Sequence, residues 1–202
     1  MRLAFVRDFD LDHKGDAVTT AIFSDARPIT EAEFLAIGET SERIELFDGS
    51  LHVSPNPIVR HQVISRWLAN AMDDGADAAG LQALEAVNVR LRPNRIPIPD
   101  LVLASADIDL DNLVVDAGDV RLVCEITSPS NASVDKVLKK HWYAEAGIPW
   151  YLLIEHDTGI VRLHRLAGTT YSEHAAAKRG EVLELTEPVV ATIDLAELLP
   201  PR

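Results

Sequence analysis

Leu122-Val-Cys-Glu-Ile-Thr-Ser-Pro-Ser130, taken with Ile98-Pro-Asp-Leu-Val-Leu103 upstream, decides how this chain folds. Both runs are apolar and carry β-branched residues, the composition of a buried strand. Each nevertheless holds one carboxylate, Asp100 or Glu125, where an ordinary core strand holds none. An ionised Asp or Glu on a buried strand is costly unless it is paired or binds a metal. Two such groups, brought together by strand pairing, are the start of a divalent-cation site.

The 202-residue chain is 47% hydrophobic and 25% charged, enough apolar material for one globular domain with a core of its own. One cysteine, Cys124, excludes an intramolecular disulfide and a Cys-based zinc site. The opening Met1-Arg-Leu-Ala-Phe-Val-Arg-Asp8 meets charge too early for a secretory signal. Runs such as Trp150-Tyr-Leu-Leu-Ile154 are far too short to cross a bilayer. A cytoplasmic protein with no membrane contact is therefore expected. The net charge of −13 opposes a broad electrostatic grip on nucleic acid but leaves room for a local basic groove. Arg90, Arg92 and Arg95 form the one dense basic cluster, readable as a solvated loop or as a phosphate-steering lip.

Working outward, residues 1–28 lack clear periodicity and read as an N-terminal arm, with residues 29–202 as a single domain. Thr30-Glu-Ala-Glu33 is a capping box that opens a short helix. Arg43-Ile-Glu-Leu-Phe47 alternates like a strand, and Asp48-Gly49 supplies a hairpin turn into Leu51-His-Val-Ser54. From Pro57 the period turns helical, with Ile58, His61, Ile64, Leu68 and Met72 on one face and Gly75 and Gly80 closing the segment. Residues 81–91 read as extended, and residues 105–118 as a polar, Asp-rich connector between the two carboxylate strands. A helix over 131–146 stops at Gly147, with Pro149 just beyond. Trp150–Ile154, Asp157-Thr-Gly159 and 160–166 make a strand, turn and strand, and a short helix near 194–199 closes the chain. The order of elements predicts an α+β domain with a mixed central sheet.

The helix after the second strand offers a third group. Asp135, Lys139 and Tyr143 share one helix face at i, i+4 and i+8. The Ser128-Pro-Ser130 turn lets the first helical turns fold back beside Glu125 and present Lys139 to the carboxylates. A D-x-x-x-K spacing is more commonly a solvated surface ion pair. His61 reads as a packed, hydrogen-bonded histidine, or else as a phosphate contact at the site mouth. Cys124 points to the opposite strand face from Glu125 and reads as core. Trp142, Tyr143 and Trp150 read as walls of the sheet–helix contact, with Tyr143 also within reach of the site entrance.

Glu45-Leu-Phe-Asp-Gly49, Ser54-Pro55, His61, Pro99-Asp100, Glu125-Ile-Thr-Ser-Pro-Ser130, Asp135-x-x-x-Lys139-x-x-x-Tyr143 and Gly147-Ile-Pro149, in that order, resemble the Uma-type family of bacterial restriction-endonuclease-like proteins. The resemblance implies the PD-(D/E)xK nuclease fold, a restriction-endonuclease-like mixed central sheet flanked by helices. Carried over by position, it makes Asp100 and Glu125 the metal carboxylates, with the Ile126 main-chain carbonyl as a further ligand. The superfamily places its lysine two residues after the second acid, where this chain has Thr127; the resemblance points instead to Lys139 on the following helix. Glu45 matches a family acidic position that would complete the site, against its plainer reading as an edge-strand carboxylate facing water.

The activity so implied is Mg²⁺- or Mn²⁺-dependent hydrolysis of phosphodiester bonds, with DNA as the candidate partner and a homodimer as a candidate assembly. Two alternatives stand beside it: a non-catalytic interaction module that keeps the fold, and a metal-dependent phosphoesterase acting on a smaller substrate. Repulsion between two buried carboxylates is expected to raise at least one pKa and to make Asp100→Asn more thermostable than the wild type without metal.

Overall fold

The computed structural model describes residues 20–22, 27–38, 40, 42–54, 56–127 and 134–199. Most of the expected N-terminal arm, the Ser128-Pro-Ser130 turn and residues 131–133 of the expected helix lie outside the described residues. Within the arm's span, Thr20–Ile22 forms β1. The Thr30/Glu33 capping box opens α1 (Glu31–Leu35) as its sequence predicts, each residue's side chain taking the other's backbone N–H.

β2 (Arg43–Phe47) and β3 (Ser50–Ser54) form the expected hairpin. Asp48 and Gly49 both sit at positive φ, 51° and 92°, the backbone that a two-residue turn of this kind needs. α2 (Val59–Ala78) buries Ile64, Leu68 and Met72, each worth about 1.5–3 kcal/mol relative to exposure. Ile58 is its N-cap and is exposed, so the apolar face starts later than its period suggests. Gly75 does not end the helix. The Val190 backbone crosses there so closely that a Cβ on residue 75 would stand 2.2 Å from its carbonyl oxygen. The glycine is a crossing point, and Gly80, at φ 68°, follows the true end.

β4 (Leu81–Glu85), β5 (Val89–Arg90), β6 (Arg95–Ile96), β7 (Leu101–Ser105) and β8 (Val115–Asp116) follow, so the stretch over 81–91 divides into two strands. β9 (Val120–Thr127), α3 (Val134–Glu145) and β10 (Trp150–Glu155) make a crossover unit. β11 (Ile160–Ala167), β12 (Thr170–Lys178), β13 (Val182–Leu185), β14 (Ala191–Asp194) and α4 (Leu195–Leu198) complete the described chain.

The central sheet has six strands in the order β12-β11-β10-β9-β7-β4. Only β9 and β10 run parallel within it, which requires the crossover that α3 supplies. Alternation sends Leu101, Leu103, Leu122, Cys124 and Ile126 to the face covered by α2. Val102, Ala104 and Val123 go to the other face, with Tyr143 and Ile148. A second sheet, β1-β3-β2-β6, packs its own apolar cluster around Phe34, Ile44, Leu46 and Ile96. The α+β class and the mixed central sheet are as the sequence predicts.

Candidate functional site

Strand register brings the two carboxylates together. Leu101 pairs with Cys124 in the antiparallel β7–β9 ladder. Asp100 immediately precedes β7, and its N–H donates to the carbonyl of Cys124, the residue before Glu125, at 3.1 Å. Cys124 goes to the other face, as alternation requires.

Asp100 is held on several sides. Its Oδ1 accepts from Arg43 Nη1 at 2.8 Å. Its Oδ2 accepts from the Ile126 N–H at 2.7 Å and lies 3.1 Å from His61 Nε2. Burial alone would raise this acid. The His61 hydrogen bond, the Arg43 charge and the Ile126 N–H outweigh burial and hold it well below the ordinary carboxylate range. Arg43 Nη2 also donates to the Ile98 carbonyl.

Glu45 comes from β2, which lies between β3 and β6 and is not a free edge. Its side chain is 1% exposed, so it does not face water. Glu45 Oε1 accepts from the Ile98 N–H at 2.7 Å and from Lys139 Nζ at 2.7 Å. Lys139 is therefore a buried cation of the site and not a solvated surface group. Burial opposes its charge, but Glu45 and Glu125 hold the ammonium above the ordinary lysine range. Phe47, 5.7 Å from Nζ to ring centroid, walls it in.

Glu125 accepts from the Tyr143 hydroxyl at 2.6 Å. Burial pushes its pKa up and neighbouring Asp100 adds to the rise; Lys139, Arg43 and the Tyr143 hydrogen bond pull back only in part, leaving it at about 7. The partners give the reason. Among the described residues, Arg43 and His61 engage Asp100 and Lys139 engages Glu45, while Glu125 is hydrogen-bonded by the neutral Tyr143 hydroxyl.

This donor set suits a hard divalent ion. Asp100, Glu125 and the Ile126 carbonyl offer oxygen ligands, and an added cation would favour the ionised form of Glu125. Among the described residues no group of three His, Cys, Asp or Glu side chains forms a ready-made cage. Mg²⁺ ordinarily takes one or two carboxylates and keeps several waters, so a closed cage is not required.

Arg43 is the member that the sequence reading passes over. Its signal was its place two residues before Glu45, on the same face of an alternating strand. Tyr143, expected as a wall or at the site entrance, is the hydrogen-bond donor to Glu125. Arg90, Arg92 and Arg95, readable as a solvated loop or a phosphate-steering lip, each have carboxylate partners: Arg90 pairs with Glu31 and Asp116, Arg92 with Asp48, and Arg95 with Asp48 and Glu145. Of the acids Asp100 and Glu125, Asp100 is the one held by Arg43, His61 and the Ile126 N–H, and the upward shift expected from their proximity falls on Glu125.

Mixed sheet, flanking helices and carboxylates on paired strands define a protein of the restriction-endonuclease type. The chain belongs to the Uma2 family, described as "Putative restriction endonuclease", whose model matches residues 31–196. A solved structure described as "a putative nuclease belonging to DUF820 from Anabaena variabilis" superposes with a TM-score of 0.64 at 18% identity, covering 85% of this chain and 98% of that one. At that identity the likeness speaks for the fold. No curated protein matches the sequence.

Proposed function

We propose that this protein is a divalent-metal-dependent nuclease that hydrolyses phosphodiester bonds of DNA. Asp100 and Glu125, with the Ile126 main-chain carbonyl, would hold Mg²⁺ or Mn²⁺. The observation that carries this reading is a pair of buried carboxylates, Asp100 and Glu125, near a buried Lys139 that is ion-paired to Glu45. A bound metal would polarise the scissile phosphate and lower the pKa of a water. Lys139 would orient the attacking water or stabilise negative charge developing on phosphate. Glu45 holds the Lys139 ammonium in place, and the Tyr143 hydroxyl fixes the Glu125 carboxyl. Arg43, His61 and the Ile126 N–H fix Asp100.

The second reading, a non-catalytic interaction module, is favoured by one observation: Arg43 and His61 already engage the Asp100 oxygens that a metal would use. A metal-dependent phosphoesterase on a smaller substrate shares the first reading's chemistry. The deciding experiment is cleavage of plasmid DNA with Mg²⁺, Mn²⁺ or Ca²⁺, using the wild type and Asp100→Ala. Metal-dependent cleavage that Asp100→Ala loses supports the nuclease. A wild type that binds metal and cleaves no DNA overturns it in favour of the other readings.

A further inference from the structure

On the far side of Arg43 and Ile98 from the carboxylates, which do not line it, lies a cavity of about 390 Å³, within the about 300–1,000 Å³ usual for small-ligand sites. Arg43 and Ile98 line it, and both also serve the site: Arg43 donates to Asp100 and the Ile98 N–H to Glu45. Cavity and carboxylates thus share a wall. The lining combines apolar side chains, among them Ile44 and Pro57, with the carboxamides of Asn56, Gln62 and Asn88. Asn88 Nδ2 donates to the Leu113 carbonyl at 3.1 Å, while its Oδ1 is buried with no hydrogen-bond partner.

We propose that this cavity takes one unstacked nucleobase of the DNA strand whose phosphate meets Asp100 and Glu125, so that the substrate is single-stranded or frayed DNA. The inference rests on the nuclease reading of the carboxylates. A nucleobase has apolar faces and an edge of mixed donors and acceptors, the chemistry that apolar walls and carboxamides complement. Its own phosphate lies one sugar away, which suits a pocket sharing a wall with the phosphate site. Charge argues the same way. The chain carries −13, and Arg90, Arg92 and Arg95 each pair with carboxylates of the chain itself. Binding a duplex leans on phosphate contacts and counterion release, more so than binding a single strand. A single strand also presents its bases without first being unpaired.

Leu113 lines the cavity and is exposed, so Leu113→Trp would fill the space without touching the core or any site residue. Fluorescence anisotropy with a labelled single-stranded oligonucleotide in Ca²⁺ reads binding. Hydrolysis of bis(4-nitrophenyl) phosphate in Mn²⁺ reads the carboxylates without a base. Leu113→Trp should weaken single-strand binding by about tenfold or more and leave hydrolysis of the small diester unchanged. The wild type should bind the single strand more tightly than the matching duplex. The proposal is overturned if the wild type does not bind single strands, binds duplex as well or better, or if Leu113→Trp binds as the wild type does. A wild type that binds single strands, loses that binding in Leu113→Trp and cleaves no phosphodiester would instead overturn the nuclease reading and keep the pocket.

Discussion

The site's chemistry turns on which acid carries the excess proton. Glu125 has a folded pKa of about 7 against 4.5 for an ordinary glutamate. Its folded state therefore holds a proton that the unfolded chain has already lost, and stability falls as pH rises from about 4.5 through 7. Glu125→Gln keeps an acceptor for the Tyr143 hydroxyl and removes the titration. At pH 8 without metal this variant should be more stable than the wild type by a few kcal/mol, and the gap should close toward pH 5; denaturant midpoints across that range check it. Asp100 behaves oppositely. Its folded pKa is depressed, so its stabilisation is present above the ordinary aspartate pKa and is lost only in strong acid. Asp100→Asn should destabilise by leaving the Arg43 guanidinium buried beside a neutral amide. The cationic side has an equally local test. Lys139 is bonded to Glu45, whereas Lys140 lies over the Tyr151 ring at 5.5 Å and takes no part in the site. If the protein cleaves DNA, Lys139→Ala should reduce the rate by about a hundredfold or more, and Lys140→Ala should leave it nearly intact. Equal effects in steady-state assays would remove Lys139 from the mechanism.

At the level of elements, the hairpin is the least replaceable part, because β2 delivers both Arg43 and Glu45. Its turn depends on Gly49, at φ 92°, where an added Cβ would stand 2.4 Å from the Pro28 Cβ. Gly49→Ala should cost about 1–3 kcal/mol from backbone strain and the clash. Because the hairpin carries the Lys139 partner, the same variant should also weaken any metal-induced stabilisation; urea melts with and without Mg²⁺ measure both. Much of this architecture is legible in the sequence, since it is written in local signals. The Asp48-Gly49 turn, the Thr30/Glu33 box and the two apolar runs each state their own element. What local pattern cannot carry is contact at a distance. Lys139 and Glu45 are 94 residues apart, so helix spacing alone cannot name this partner. Gly75 looks like a stop for the same reason: its meaning lies in Val190, far along the chain. Arg43 opens a strand, where an arginine ordinarily faces water, and only the approach of Asp100, 57 residues further on, gives it a partner.

Over the whole molecule, a net charge of −13 sets two responses that must be separated before any metal effect is believed. Self-repulsion among like charges destabilises the compact state, and salt screens it, with a Debye length of about 10 Å at 0.1 M and about 3 Å at 1 M. NaCl alone should therefore raise the melting temperature of this acidic chain modestly. A specific site adds a different term. Metal that binds only the native state stabilises by RT ln(1 + [L]/Kd), about 1 kcal/mol when its concentration is about five times Kd, or roughly 2–4 °C for a protein of this size. The expected outcome is that Mg²⁺ or Mn²⁺ raises the melting temperature beyond NaCl of matched ionic strength. Glu125→Gln should keep the NaCl response, because its bulk charge is nearly unchanged, and lose the metal increment, because the Glu125 carboxylate is gone. Should Mg²⁺ and matched NaCl give the same curve in the wild type, the cation response would be bulk screening alone. The burial of Glu125 would then be met by a proton on its carboxyl and by the Tyr143 hydroxyl, without a metal.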